Sequence, residues 1–167
     1  TNRPIRCRSD LGLDRRQVAL GVGDEDGRVA PPGGALGRRL LVHVEDLMHT
    51  DEALPLVEEG TPLIDALAEI SAKNLGMVGI VDDKGLLAGI YTDGDLRRTL
   101  NQGTDVQDCR IDAVMVRSPH TIAPATLAAE AVAMMQRYSI NGLFAVDPNG
   151  RPVGALNTLD LIRAGVF

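Results

Sequence analysis

The stretch from Thr61 to Arg98 returns 65 positions later as Thr126 to Arg163, and this duplication constrains the fold more than any other feature of the chain. Ten positions are identical at that offset: Thr61, Ala66, Ala68, Val81, Asp82, Gly85, Gly89, Asp95, Leu96 and Arg98 recur as Thr126, Ala131, Ala133, Val146, Asp147, Gly150, Gly154, Asp160, Leu161 and Arg163. Turn residues and charges are copied along with apolar ones. Two copies of a small unit bury each other's apolar faces and leave a cleft along the join, which favours a paired binding site over a single catalytic pocket.

A chain of 167 residues with 44 % hydrophobic content has ample material for one shared core. Its aromatic residues are Tyr91, Tyr138, Phe144 and Phe167 alone, too few for a surface that stacks the bases of a single-stranded nucleic acid. The net charge of −6 is uneven: residues 1–40 carry 8 basic and 5 acidic side chains, residues 41–167 carry 9 and 18. The repeated part is therefore acidic, which opposes nucleic acid and anionic membrane while leaving room for a local anion site. Cys7 and Cys109 match no metal or redox spacing, and His43, His49 and His120 are scattered, so these three are expected at the surface or in packing. No apolar run reaches the roughly 20 residues of a membrane span, and the N-terminus lacks a signal-peptide core; a cytoplasmic protein is expected.

Each repeat reads as helix, strand, strand, helix. Thr61 is placed to cap a helix with Pro62 at its first position, and Leu63, Ala66, Leu67 and Ile70 share one face; Thr126 leads in the same phase to Ala128, Ala131, Val132 and Met135. A hairpin follows in each: Met77 to Val81 and Leu86 to Tyr91 around Asp82-Asp83-Lys84-Gly85, then Leu143 to Val146 and Pro152 to Leu156 around Asp147-Pro148-Asn149-Gly150. The closing helices open at Thr92-Asp93-Gly94-Asp95 and Asn157-Thr158-Leu159-Asp160. Lead-ins ending in Met (Val44 to Met48, Ile111 to Met115) and extended pieces (Leu54 to Val57, His120 to Ala123) precede the copies. The expected division is 1–30 unassigned, disordered or a remnant; 31–42 linker; 43–100 first repeat; 101–110 polar linker; 111–167 second repeat. Past the breaker cluster Pro31-Pro32-Gly33-Gly34, Ala35 to Leu41 reads as a short basic helix.

The duplicated unit, with its Met-ended lead-in, its Gly before the last strand and its Thr-x-x-Asp at the final helix, resembles the CBS-domain pair, or Bateman module, over about residues 41–165. The resemblance implies an α/β fold of βαββα-type tandem repeats about a pseudo-twofold axis, associating as a homodimer. Pro32-Gly33-Gly34-Ala35-Leu36-Gly37-Arg38-Arg39-Leu40-Leu41, Asp46-Leu47-Met48-His49-Thr50 and Thr92-Asp93-Gly94-Asp95-Leu96-Arg97-Arg98 together resemble the C-terminal part of arabinose-5-phosphate isomerases, where a CBS pair follows a sugar-isomerase domain. That family interconverts ribulose 5-phosphate and arabinose 5-phosphate for Kdo, a lipopolysaccharide sugar. Its catalytic His precedes the Pro-Gly-Gly; here Pro31 holds that position, and residues 1–30 do not resemble the end of a sugar-isomerase domain. The chain by itself is therefore expected to be inactive, and no nucleophile or acid–base constellation stands out in it.

The implied role is regulatory. A nucleotide or nucleotide-sugar, CMP-Kdo being the most specific candidate and AMP or ATP the alternative, is expected between the repeats, with the consequence passed to the upstream isomerase domain. Thr92 and Asp95 occupy Ncap and N3 of their helix, so they form a capping box, offer a phosphate site and a carboxylate to a ribose diol, or do both. Asn157 and Asp160 repeat the arrangement with a different cap, so the two sites should differ in preference. Asp93, Arg97 and Arg98 stand beside the first site, as ligand contacts or solvated helix surface. Ser139 and Asn141 precede the inner strand of the second copy, to read a base or to make a turn. Met77 and Met115 could pack on a base or fill the core. No metal site is expected. The competing reading is a purely structural dimerisation module without ligand.

Overall fold

The computed structural model of the chain describes Gly37 and residues 41–167. Expectations for residues 1–30, for Pro31 and for most of the basic helix at Ala35 to Leu41 fall outside those residues. The elements are β1 (Leu56–Glu58), α1 (Leu63–Lys73), β2 (Met77–Val81), β3 (Leu87–Thr92), α2 (Asp93–Asn101), β4 (Val116–Arg117), β5 (Thr121–Ile122), α3 (Ala128–Tyr138), β6 (Gly142–Val146), β7 (Pro152–Asn157) and α4 (Thr158–Arg163). This is a mixed α/β arrangement with two sheets, ordered β1-β2-β3-β4 and β5-β6-β7. In each, a parallel pair continues into the antiparallel hairpin.

The hairpins form where the turn residues predict them. Asp82 Oδ1 accepts the N–H groups of Lys84 and Leu86, and Asp147 Oδ1 accepts those of Asn149 and Arg151, which bends each chain back. Gly85 and Gly150 complete the turns at φ +77° and +87°, a region closed to most side chains. The helices bury the expected face: Leu63, Ala66 and Ile70 in repeat one; Ala128, Ala131 and Met135 in repeat two. Complete burial of each larger side chain among them contributes about 1.5–3 kcal/mol.

Thr61 and Thr126 do not cap these helices, contrary to the sequence reading. The caps are Pro62 and Leu127, and neither makes a side-chain bond. Backbone just ahead of the lead-ins replaces them, with Leu63 N–H donating to the Cys109 carbonyl and Ala128 N–H donating to the Val42 carbonyl, both at 2.8 Å. A carbonyl that already occupies the helix entrance leaves a threonine hydroxyl nothing to do there.

Those bonds belong to an exchange that the sequence did not announce. The lead-in of repeat two packs on repeat one: Ile111 and Met115 join the core of Leu63, Val78, Ile80 and Tyr91, and β4 adds to β3. The lead-in of repeat one packs on repeat two: Val44 joins the core of Ala131, Leu143 and Leu161, and His49 bridges Ala155 in β7. Each exchanged Met fills the hollow of a repeated glycine. A Cβ on Gly89 would lie 2.8 Å from Met115 Sδ, and one on Gly154 would collide with Met48 Sδ.

A third cluster, Leu75, Met77, Phe144 and Ala155, joins the repeats. Here residues meet their own counterparts at the 65-residue offset, the pattern of a twofold axis. Met77 lies against Gly142 and Phe144 against Gly79, so that a Cβ on either glycine would fall 2.5 Å or 2.9 Å from the partner side chain. Large sits on small both times, and the seam closes to interior density.

Candidate functional site

The strand-to-helix junctions hold most of the residues singled out in the sequence. At the first, β3 ends at Thr92 in extended conformation and Asp95 turns back on it. Asp95 N–H donates to Thr92 Oγ1 at 3.3 Å, while Thr92 N–H and Thr92 Oγ1–H both donate to Asp95 Oδ2, at 2.9 and 2.7 Å. The other oxygen, Oδ1, takes the Arg98 guanidinium from one turn further along α2. Asp95 is only 5 % exposed, and burial of a carboxylate is tolerated because each oxygen has a donor.

The second junction repeats the cap and changes the basic side chain. Asp160 N–H donates to Asn157 Oδ1 at 3.1 Å, and Asn157 N–H donates to Asp160 Oδ2 at 2.9 Å. Asp160 Oδ1 lies 3.0 Å from Nε2 of His49, which comes from the lead-in of repeat one. Arg163, the repeat of Arg98, is exposed instead. At both junctions, then, backbone fixes Oδ2 and a basic side chain covers Oδ1. A sugar hydroxyl can reach either carboxylate by taking the place of that side chain at Oδ1.

Asp93 opens α2, its N–H donating to the Gly76 carbonyl at 3.2 Å, and Arg97 is exposed beside it. Ser139 is the left-handed C-cap of α3 at φ +53°, and the Asn141 carbonyl accepts the Thr158 N–H at 3.0 Å. Ser139 and Asn141 share a cleft of about 380 Å³ with Met135, Gln136, Ile140, Thr158 and Phe167. A second cleft, of about 430 Å³, runs between β5 and α3. Both clefts belong to repeat two, and Thr92, Asp95 and Asp160 line neither. Met77 and Met115, at 2 % and 8 % exposed, fill the glycine hollows described above, which accounts for them as interior packing.

His49 is the residue of the junctions that sequence reasoning missed. The scattered histidines read as surface or packing residues, and nothing in the neighbourhood of His49 suggests a carboxylate 111 residues away. Its place directly after Met48 was the available signal, since a methionine anchored on repeat two carries the next side chain with it. Beneath the first junction, Tyr91 is buried with its hydroxyl 2.8 Å from Thr99 Oγ1, and burial, with the nearby Asp95 carboxylate, raises its pKa above the usual phenol value. Among the described residues, no group of three His, Cys, Asp or Glu is placed to hold a metal, and no helix is long and apolar enough to cross a membrane.

Two segments, residues 44–102 and 111–166, match the model of the CBS domain. The chain is 53 % identical over 149 residues to the arabinose 5-phosphate isomerase KdsD of Pseudomonas aeruginosa, covering 89 % of the chain and 46 % of that relative. It thus spans about half the length of that curated relative. Among solved structures, it resembles the CBS domain pair of protein MJ0100 in complex with 5′-methylthioadenosine and S-adenosyl-L-methionine (TM-score 0.67, 24 % identity, 74 % of this chain and 94 % of that one). It also resembles CBSX2 from Arabidopsis thaliana in complex with AMP (TM-score 0.63, 24 % identity, 75 % and 96 %).

Proposed function

The chain belongs to the CBS-domain family, and from that premise we propose that it is a regulatory module that binds a nucleotide or nucleotide-sugar at its strand-to-helix junctions. One observation carries the reading: each repeat holds a carboxylate at the junction with a basic side chain on the same oxygen. A ribose diol meets the carboxylate, and the displaced basic side chain meets the phosphate. The adenosine-type ligands of the structural neighbours support the same ligand class.

The most specific ligand is CMP-Kdo, with AMP or ATP as the alternative; the likeness to the arabinose 5-phosphate isomerase KdsD supports a role in a whole protein that serves Kdo synthesis. CMP-Kdo offers a diol, a phosphodiester and a sugar carboxylate to Asp95 or Asp160, Arg97 and Arg98, with Ser139 and Asn141 near the base. The module would pass its state to an attached sugar-isomerase domain, which requires that ligand prefer one of two arrangements. A second copy would pack on the outward faces of α1 and α3, where Ile64 is 41 % exposed beside Ala68, and Ala129 and Ala133 lie open. Ile64→Asp should then give a monomer in sedimentation.

Calorimetry with CMP-Kdo, CMP and AMP tests the ligand, and indifference to all three refutes it. Asp95→Asn should abolish binding at the first junction while changing folding by about 1 kcal/mol at most, since the exposed Arg98 adds little. A second reading, a dimerisation module without ligand, is favoured by the fact that both oxygens of Asp95 are already occupied within the chain. Under it, Asp95→Asn and wild type are equally silent toward every nucleotide.

A further inference from the structure

His49 belongs to repeat one by sequence and to repeat two by position. Its N–H donates to the Ala155 carbonyl at 2.7 Å, and the Ala155 N–H donates to the His49 carbonyl at 3.0 Å. The preceding Met48 fills the hollow above Gly154. With the backbone fixed on β7, the imidazole reaches Asp160 Oδ1 at 3.0 Å, and the side chains are 37 % and 12 % exposed, so the ring covers the carboxylate.

The first junction lacks this arrangement. Arg98 lies three residues beyond Asp95 on the same helix, so a change of partner at Asp95 Oδ1 stays within α2. A change of partner at Asp160 Oδ1 instead frees a side chain of the other repeat. The freed segment directly precedes repeat one in the chain.

We infer that His49 is a positioning residue that couples occupancy of Asp160 to the lead-in of repeat one: a ribose hydroxyl that takes Oδ1 displaces the imidazole and loosens the segment behind it. The inference rests on the ligand reading above and makes the junctions unequal. Ligand on Asp160 is transmitted to the lead-in, whereas ligand on Asp95 is not. The differential contact that such coupling requires is the His49 bond, present without ligand and absent with it.

The test is amide hydrogen exchange on this chain, as wild type, His49→Leu and His49→Gln, with cytidine and CMP as probes. Without probe, His49→Leu should speed exchange at the residue 49 and Ala155 amides by about threefold to tenfold, and His49→Gln, which can still donate to Oδ1, should restore protection. In wild type, either probe should loosen the same two amides and leave those of α2 unchanged. His49→Leu should bind cytidine about threefold to tenfold more tightly than wild type, because no donor has to leave. Unchanged exchange in probe-free His49→Leu overturns the coupling, whatever binds. Equal or weaker cytidine binding by His49→Leu overturns displacement. Failure of both probes, and of AMP, to bind any form, with the exchange difference intact, overturns the ligand reading at the second junction and leaves His49 as a structural contact only.

Discussion

The two repeats share a backbone and differ in what they build on it. Asp82 and Asp147, Gly85 and Gly150, Gly89 and Gly154, and Asp95 and Asp160 are the same residues making the same turns, hollows and caps. The differing positions do the remaining work. Repeat one sets Tyr91 and Thr92 where repeat two sets Leu156 and Asn157, and the seam sets Met77 and Gly79 against Gly142 and Phe144. The lesson is that duplication fixes the scaffold, whereas divergence between the copies makes the halves complementary. Two copies of repeat one could not close this seam, because Met77 would meet Met77.

The seam offers the harshest way to break the comparison. Gly79→Phe puts two phenyl rings in one place and should cost about 3 kcal/mol in urea denaturation. Phe144→Gly leaves a cavity and should cost about as much. The double swap, which moves the large residue to the other side, should lose at least about 1 kcal/mol less than the sum of the single changes. Strict additivity would show that the pairing of large on small is not what closes the seam.

The caps sharpen the comparison at lower cost. Thr92→Ala should destabilise by about 2 kcal/mol and Asn157→Ala by about 1 kcal/mol, because the threonine hydroxyl both accepts from Asp95 N–H and donates to its carboxylate, whereas Asn157 caps by its side-chain oxygen alone. Equal losses would mean that the extra bond contributes nothing. Tyr91→Phe should cost about 1 kcal/mol, since Thr99 keeps its bond to the Asp95 carbonyl at 2.9 Å.

The smallest effect is a pH dependence confined to repeat one. The Tyr91 pKa is raised in the folded state, so its contribution is fully present below the ordinary phenol pKa of about 10 and is lost as pH rises through the folded value. Wild type should therefore lose stability on the alkaline side of pH ~10 faster than Tyr91→Phe, as measured by the urea midpoint. Parallel curves would remove Tyr91 from the account.

Much of the fold was legible because its signals are short-range. Asp82 and Asp147 bond N–H groups two and four residues away, and Asp95 and Asp160 bond N–H groups three residues away, so neighbouring letters contain both partners. The failed caps at Thr61 and Thr126 mark the limit of that logic. Their hydroxyls suit an Ncap, but carbonyls of Cys109 and Val42 had taken the donors, and nothing near either threonine encodes that competition.

The candidate site divides along the same line. Thr92, Asp95, Asn157 and Asp160 were found from spacing, and Arg98 lies within one helical turn of its partner. His49 lies 111 residues from Asp160, and only the exchange of lead-ins brings them together. The sequence by itself determined two hairpins, four helices and two capped junctions, because each follows from contacts within a few residues. Tertiary structure decided which lead-in completes which sheet, which side of the seam is large, and which basic side chain covers each carboxylate. Those choices depend on surfaces that exist only after both repeats have formed, when burying Met48, Met77, Met115 and Phe144 in glycine hollows outweighs the entropy of closing the long loops between them.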